Sequence, residues 1–214
     1  MEKKSFLKVI ILLFSVFFTG EVFAATETGV REFLNETGEG FIQTLGLVDK
    51  AEKYARIDEM IDEHVNSEYM GRFALGQYWR GFDDGQKQTY LSLFKRYLKS
   101  LYKAYPLDFE TKGIGFEIST ISQKGNFWDA TCVIELPEQY RTENFEKVSV
   151  VFKIEENAEK FYLVDLKIGE ASMLVTLRGR LTDMFKNAED EIGWFLEDFE
   201  DLTKSNEQRL VLEN

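Results

Sequence analysis

The sequence predicts an α+β domain in which several helices precede a twisted, four-stranded antiparallel sheet and one further helix follows it. Three observations carry this reading. Apolar side chains recur at spacings of three and four up to Tyr102, they alternate in four runs between Phe116 and Ile168, and helical spacing returns from Leu174 to Phe199. Helices and strands that occupy separate stretches of chain pack as layers, here with the helices over one face of the sheet. A curved sheet roofed in this way is cone-like and has room for an apolar cavity.

Residues 1–24 read as a signal peptide rather than as part of the fold. Lys3, Lys4 and Lys8 give a basic start, Val9 to Phe18 is apolar apart from Ser15, and Val22-Phe23-Ala24-Ala25 offers a small-residue cleavage site. The apolar run is too short to cross a hydrocarbon core, which needs roughly 20 helical residues. No cysteine stands near the cut for acylation, so the exported chain is expected to be free of the membrane.

One domain is expected over residues 25–204, followed by a polar tail at 205–214. Phe33, Phe41, Ile42, Leu45, Leu47 and Val48 form one side of an early helix or helix pair broken near Gly46. A second helix runs from Asp49 or Lys50 to about Val65, and a short one covers Tyr69 to Gln77. Asp83 then caps an amphipathic helix bearing Tyr90, Leu91, Phe94, Tyr97, Leu98, Leu101 and Tyr102, closed by Pro106.

The period next changes to two. Phe116, Ile118 and Thr120 share a face of the first strand, and Trp128, Ala130, Cys132, Ile134 and Leu136 share one in the second. Val148, Val150, Phe152 and Ile154 define the third strand, and Tyr162, Val164, Leu166 and Ile168 the fourth. Gly125-Asn126, Pro137 to Asn144 and Glu155 to Glu159 supply the turns, which makes the sheet an antiparallel meander. A last helix carries Leu174, Leu177, Leu181, Met184, Phe185, Ala188, Ile192, Phe195, Leu196 and Phe199 on its apolar stripe.

Composition narrows the function. The chain holds 38 acidic against 26 basic residues, a net charge of −12, which repels nucleic acid phosphates and anionic headgroups. With Cys132 as the sole cysteine, no intramolecular disulfide can form, and its apolar strand neighbours mark it as a buried thiol. His64 is the sole histidine, so neither a zinc site nor a histidine pair can be built on histidine. The acidic runs at Glu189-Asp190-Glu191 and near Glu197–Asp201 lack the turned spacing of a calcium loop and read as a solvated helix face. There is no nucleophile elbow, phosphate loop or dinucleotide fingerprint. No cofactor or metal is called for, and no catalytic residue is assigned.

What the chain has in excess is large apolar side chains, with 19 Phe and 14% aromatic residues. This suits either a generous core or a lined hollow.

Two stretches carry a family resemblance. Glu68-Tyr69-Met70-Gly71-Arg72-Phe73-Ala74-Leu75-Gly76-Gln77-Tyr78-Trp79-Arg80 leads to Gln86, Phe94, Leu98 and Tyr102. Tyr162-Leu163-Val164-Asp165 leads through Ser172-Met173-Leu174 to Arg178. Together they resemble the MlaC family, the toluene-tolerance or organic-solvent-resistance auxiliary proteins of a phospholipid ABC transport system. Phe161 or Tyr162 stands where that family has a strand tryptophan, and Glu170-Ala171 where it has Gly-Val. The resemblance implies a periplasmic carrier that moves phospholipid between an outer-membrane lipoprotein complex and an inner-membrane ABC transporter complex, maintaining outer-membrane lipid asymmetry.

Such cargo demands enclosure. Two acyl chains hold on the order of 30 methylenes at about 0.8 kcal/mol each, roughly 20 kcal/mol or more if left in water. The cavity-lining candidates are Phe73, Leu75, Phe94, Leu98, Phe116, Ile118, Cys132, Ile134, Val150, Phe152, Val164, Leu166, Leu174 and Leu177, each of which can equally be core. Trp79 and Arg80 can stack to brace a helix junction, or Arg80 or Arg178 can meet a lipid phosphate. Two other functions fit the same sequence: a cavity-type enzyme using Asp165 with Tyr162, and an acidic interaction module that encloses nothing.

Overall fold

The computed structural model describes residues 26–104, 111–142, 146–158 and 160–212. The signal peptide and Pro106 lie outside these residues.

Helix α1 spans Glu27–Leu45, α2 Lys50–His64 and α3 Ser67–Leu75, which runs into a 3-10 turn at Gly76–Gly81. Helix α4 spans Asp84–Leu101. Polar side chains one residue before each helix explain the starts: Thr26, Asp49, Asn66 and Asp83 each accept a hydrogen bond from an amide in the first turn. At α4 the cap is reciprocal. Asp83 accepts from the Gln86 amide at 2.8 Å while the Gln86 side chain accepts from the Asp83 amide at 2.9 Å.

The sheet contains β1 (Gly115–Lys124), β2 (Phe127–Glu135), β3 (Lys147–Asn157), β4 (Lys160–Ile168) and β5 (Ala171–Ser172), in that spatial order and wholly antiparallel. The sheet thus has five strands rather than the expected four. The fifth is a two-residue return after the Gly169 turn, where φ is +59°, and two residues leave no alternation to read. Gly125, at φ +61°, permits the two-residue β1–β2 hairpin.

Two bulges change the expected faces. Ser119 is the extra residue in β1, so Ile121 rather than Thr120 follows Ile118 onto the apolar face. In β4 the pairing shifts between Lys153 and Ile154, so Phe161 and Leu163 join the face of Ile154 in place of Tyr162 and Val164. Val164 instead enters the helical core.

Beyond β5 the expected single helix is two: α5 (Met173–Asn187) and α6 (Ile192–Leu212). The break falls at Ala188–Glu191, with Glu189 and Asp190 at φ +54° and +60°. No glycine or proline marks this turn, and the apolar stripe continues in phase across it. Helix α6 also runs through the stretch expected as a tail. There Asn206 is buried and Glu207 receives a two-pronged hydrogen bond from Arg96 of α4 at 2.9 and 3.2 Å.

Two separate apolar clusters result. The larger joins α3, α4, α5 and α6, with Tyr90, Phe94, Tyr97, Phe185, Phe195 and Phe199 all buried and their rings 5–6 Å apart. The Tyr90 hydroxyl, held well above its usual pKa by burial, donates to the Gly71 carbonyl at 2.8 Å. The smaller cluster lies between α1 and the sheet and contains Val30, Leu34, Trp128, Ala130, Cys132 and Ile154.

Candidate functional site: an apolar cleft under α1

Helix α1 crosses the sheet diagonally. Near its start, a Cβ at Gly29 would lie 3.2 Å from the Phe161 ring of β4. Further on, a Cβ at Gly38 would lie 3.3 Å from the Phe116 ring of β1. Arg31 adds a polar tie, donating from Nη1 to the Ile118 carbonyl at 3.2 Å.

Past Gly38 the helix and the sheet diverge, leaving a cleft of about 420 Å³. Its walls are Gly38, Phe41, Ile42 and Leu45 of α1, with Ile114, Phe116, Ile134, Leu136 and Pro137 from the starts and ends of β1 and β2. Every lining residue is apolar or glycine. The volume falls in the lower half of the roughly 300–1,000 Å³ typical of small-molecule sites. Phe41 is 42% exposed, so its ring stands at the open side of the cleft, where an entering apolar ligand would meet it.

Of the cavity candidates drawn from the sequence, Phe116 and Ile134 line this cleft. Ile118, Cys132 and Phe152 belong to the cluster under α1, Val150 is buried beside Cys132, and Leu166 is half-buried opposite Phe152. Leu75, Phe94, Leu98, Val164, Leu174 and Leu177 lie in the helical core, with Phe73 packed against it. The candidates therefore divide between two clusters rather than surrounding one hollow. Gly38, Ile114 and Pro137 were not among them. Phe41, Ile42, Leu45 and Leu136 were legible only as faces of their elements. Alternation marks a side chain as facing inward, but it does not say whether another atom fills the space opposite.

The motif residues sit elsewhere. Trp79 packs edge-on to Tyr90, and the cations over its ring are Arg72 at 5.3 Å and Lys87 at 5.6 Å. Arg80 is exposed and makes no hydrogen bond or ion pair among the described residues. Arg178 stacks over Phe73 at 5.3 Å and lies against Gly76, where a Cβ would come within 2.9 Å of its Nη2. Gly76 has φ +60°, so its lack of a side chain serves both the turn and this contact. The two motif stretches thus meet at Gly76 and Arg178, away from the cleft walls.

The remaining polar candidates are engaged structurally. Asp165 is buried and accepts from Ser172 Oγ at 2.7 Å and from the Leu174 amide at 2.9 Å, while Ser172 Oγ accepts from the Val175 amide. Both carboxylate oxygens thereby serve the start of α5. Cys132 is fully buried, and burial pushes its thiol up to about 11, a poor state for a nucleophile at neutral pH. Among the described residues, no group of His, Cys, Asp and Glu side chains is placed to hold a metal ion, and no helix is long and apolar enough to cross a membrane.

Comparison with known proteins agrees with this architecture. No curated protein matches the chain. Among solved structures, a phospholipid-binding protein from Ralstonia solanacearum, determined in complex with a phospholipid, superposes with a TM-score of 0.62. It shares 12% sequence identity, and the match covers 82% of this chain and 97% of that one. At that identity the likeness concerns the fold. The family described as MlaC protein matches residues 43–197, from the end of α1 into α6 and including both motif stretches. A match over this much of the sequence places the chain in a family, and the chain belongs to the MlaC protein family.

Proposed function

We propose that this protein is a non-enzymatic phospholipid carrier that shelters acyl chains in the cleft between α1 and the β1–β2 end of the sheet. The observation that carries the reading is the cleft itself: nine lining residues, none of them polar, in a chain of net charge −12. A hollow of this kind has nothing to offer a polar substrate, and it favours methylene groups by about 25 cal/mol per Å² of apolar surface buried. Family membership and the phospholipid seen with the Ralstonia protein support the same cargo.

As the family implies, the exported chain works in the periplasm as a cone-like carrier. It passes lipid between an outer-membrane lipoprotein complex and an inner-membrane ABC transporter complex, which supplies any energy. The acidic surface steers docking onto basic partner surfaces, a long-range attraction that salt screens. The polar ends of the lipid remain in water beyond the exposed Phe41 rim.

The test is native mass spectrometry of the mature protein purified without detergent, followed by lipid extraction. Discrete adducts of phospholipid mass are expected. A protein that stays bare after incubation with liposomes would sink the carrier reading.

A further inference from the structure

We infer that α1 is a hinged flap, and that the cleft takes up a two-chain lipid by swinging α1 off the sheet about the Gly46–Asp49 connection. The inference rests on the cleft being an acyl-chain site, and it adds how that site is opened. Four independent features of α1 point to it.

The first is size. Among the described residues, one side of the cleft of about 420 Å³ is formed by α1, through Gly38, Phe41, Ile42 and Leu45. Room for a second chain can come only from moving a wall, and the opposite wall is the hydrogen-bonded β1–β2 hairpin. The second is helix strength. Gly29, Gly38 and Gly40 all lie within α1, and glycine is the poorest helix former after proline. Gly29 and Gly38 meet the rings of Phe161 and Phe116 through backbone rather than interlocking side chains, so Val30, Leu34 and the Arg31 hydrogen bond to Ile118 are what chiefly hold α1 to the sheet.

The third is the seam with α2. Thr44 and Gly40 face Met60 there, and Phe33 meets His64 edge-on at 5.8 Å. On that stripe the Thr37 hydroxyl is buried without any partner, the sole such side-chain atom among the described residues. A native contact that leaves a donor unsatisfied is weaker than one that pairs it. The fourth is independence. The cluster under α1 is separate from the helical core, so α1 can leave without disturbing the rings packed around Phe199. The connection at 46–49 is suited to a hinge, with Val48 96% exposed and α2 starting on its own Asp49 cap.

Two measurements test the flap. In the lipid-free wild-type protein, hydrogen exchange of amides 27–45 is expected to be at least about tenfold faster than that of amides 84–101 in α4, as for a segment that opens locally. Equal protection of α1 and α4 would overturn the proposal. The second uses Gly29→Cys with Phe161→Cys in a Cys132→Ala background, joined by dibromobimane, whose fluorescence on double reaction confirms the tether far from the cleft. Vesicles of phosphatidylethanolamine and phosphatidylglycerol serve as donors, and uptake is read by native mass spectrometry. The tethered protein is expected to take up at least about tenfold less diacyl phospholipid than the same protein untethered. Equal uptake would overturn the flap while leaving the carrier reading intact. Wild-type protein that never acquires lipid would instead remove the carrier reading, with the exchange result still deciding whether α1 opens. Should the double variant not fold, the wild-type exchange measurement decides alone.

Discussion

The helical core and the layer beneath α1 are built from the same kinds of side chain, yet only the first is closed. Around Tyr90, Phe195 and Phe199, rings from three helices contact one another in stacked, tilted and edge-on arrangements, and Arg96 ties α4 to Glu207 of α6. Under α1, glycines face rings and the packing ends in an open cleft, and along its seam with α2 one hydroxyl is unpaired. A completed core stabilises the fold. An uncompleted one keeps apolar surface available for a ligand, and it gives up some stability to do so.

The sharpest way to break this contrast is to truncate each side. Phe199→Ala removes a fully buried ring at the centre of the helical core and is expected to cost about 3–5 kcal/mol, read by urea denaturation. Phe41→Asp at the exposed cleft rim is expected to change stability by less than about 1 kcal/mol. It should nonetheless abolish co-purified lipid, because a carboxylate will not enter an apolar hollow unpaired. If the two variants lost stability equally, the division into closed and open regions would fail.

The next largest effect concerns the junction between sheet and helices. Asp165→Ala strands the Ser172 hydroxyl and the Leu174 amide, both buried, at an expected cost of about 1–3 kcal/mol. Lipid retention by the folded fraction should be unchanged, since Asp165 is no part of the cleft. Loss of lipid binding without loss of stability would return Asp165 to a direct role in the site.

Thr37→Val keeps the shape and removes the unpaired hydroxyl, so it is expected to raise stability by up to about 1 kcal/mol while slowing lipid uptake. Destabilisation would mean that the hydroxyl has a partner. A last contrast is a pH dependence under α1. Burial raises the Cys132 thiol to about 11, whereas an unfolded thiol titrates near 8.5. The folded form therefore holds its proton more tightly, and its contribution is fully present below about pH 8.5 and lost as pH rises through about 11. The urea midpoint of the wild type should fall further between pH 8 and 11 than that of Cys132→Ala.

Much of this was legible residue by residue. Asp83 announced the start of α4, and the alternation of Trp128, Ala130 and Cys132 announced the buried face of β2, because caps and periods are local. The bulges at Ser119 and before Asp165 were not legible, since an inserted residue in one strand is defined only by the strand it pairs with. The turn at Glu189-Asp190 was hidden for a related reason. Its left-handed residues are not glycines, and contacts such as Phe185 with Phe195 at 5.1 Å hold them there.

By itself the sequence determined the α+β class, the order of elements, the acidic charge and the abundance of large apolar side chains, all of which depend on neighbours along the chain. Tertiary structure alone decided which of those side chains fill a core and which line a hollow. Phe94 and Phe116 are alike as residues, each on the inward side of its element. One meets Tyr90 of its own helix within a sealed bundle, and the other meets α1 at Gly38 and borders an open cleft. Whether the space beyond an apolar side chain is occupied is a property of distant residues brought together, and no local pattern records it.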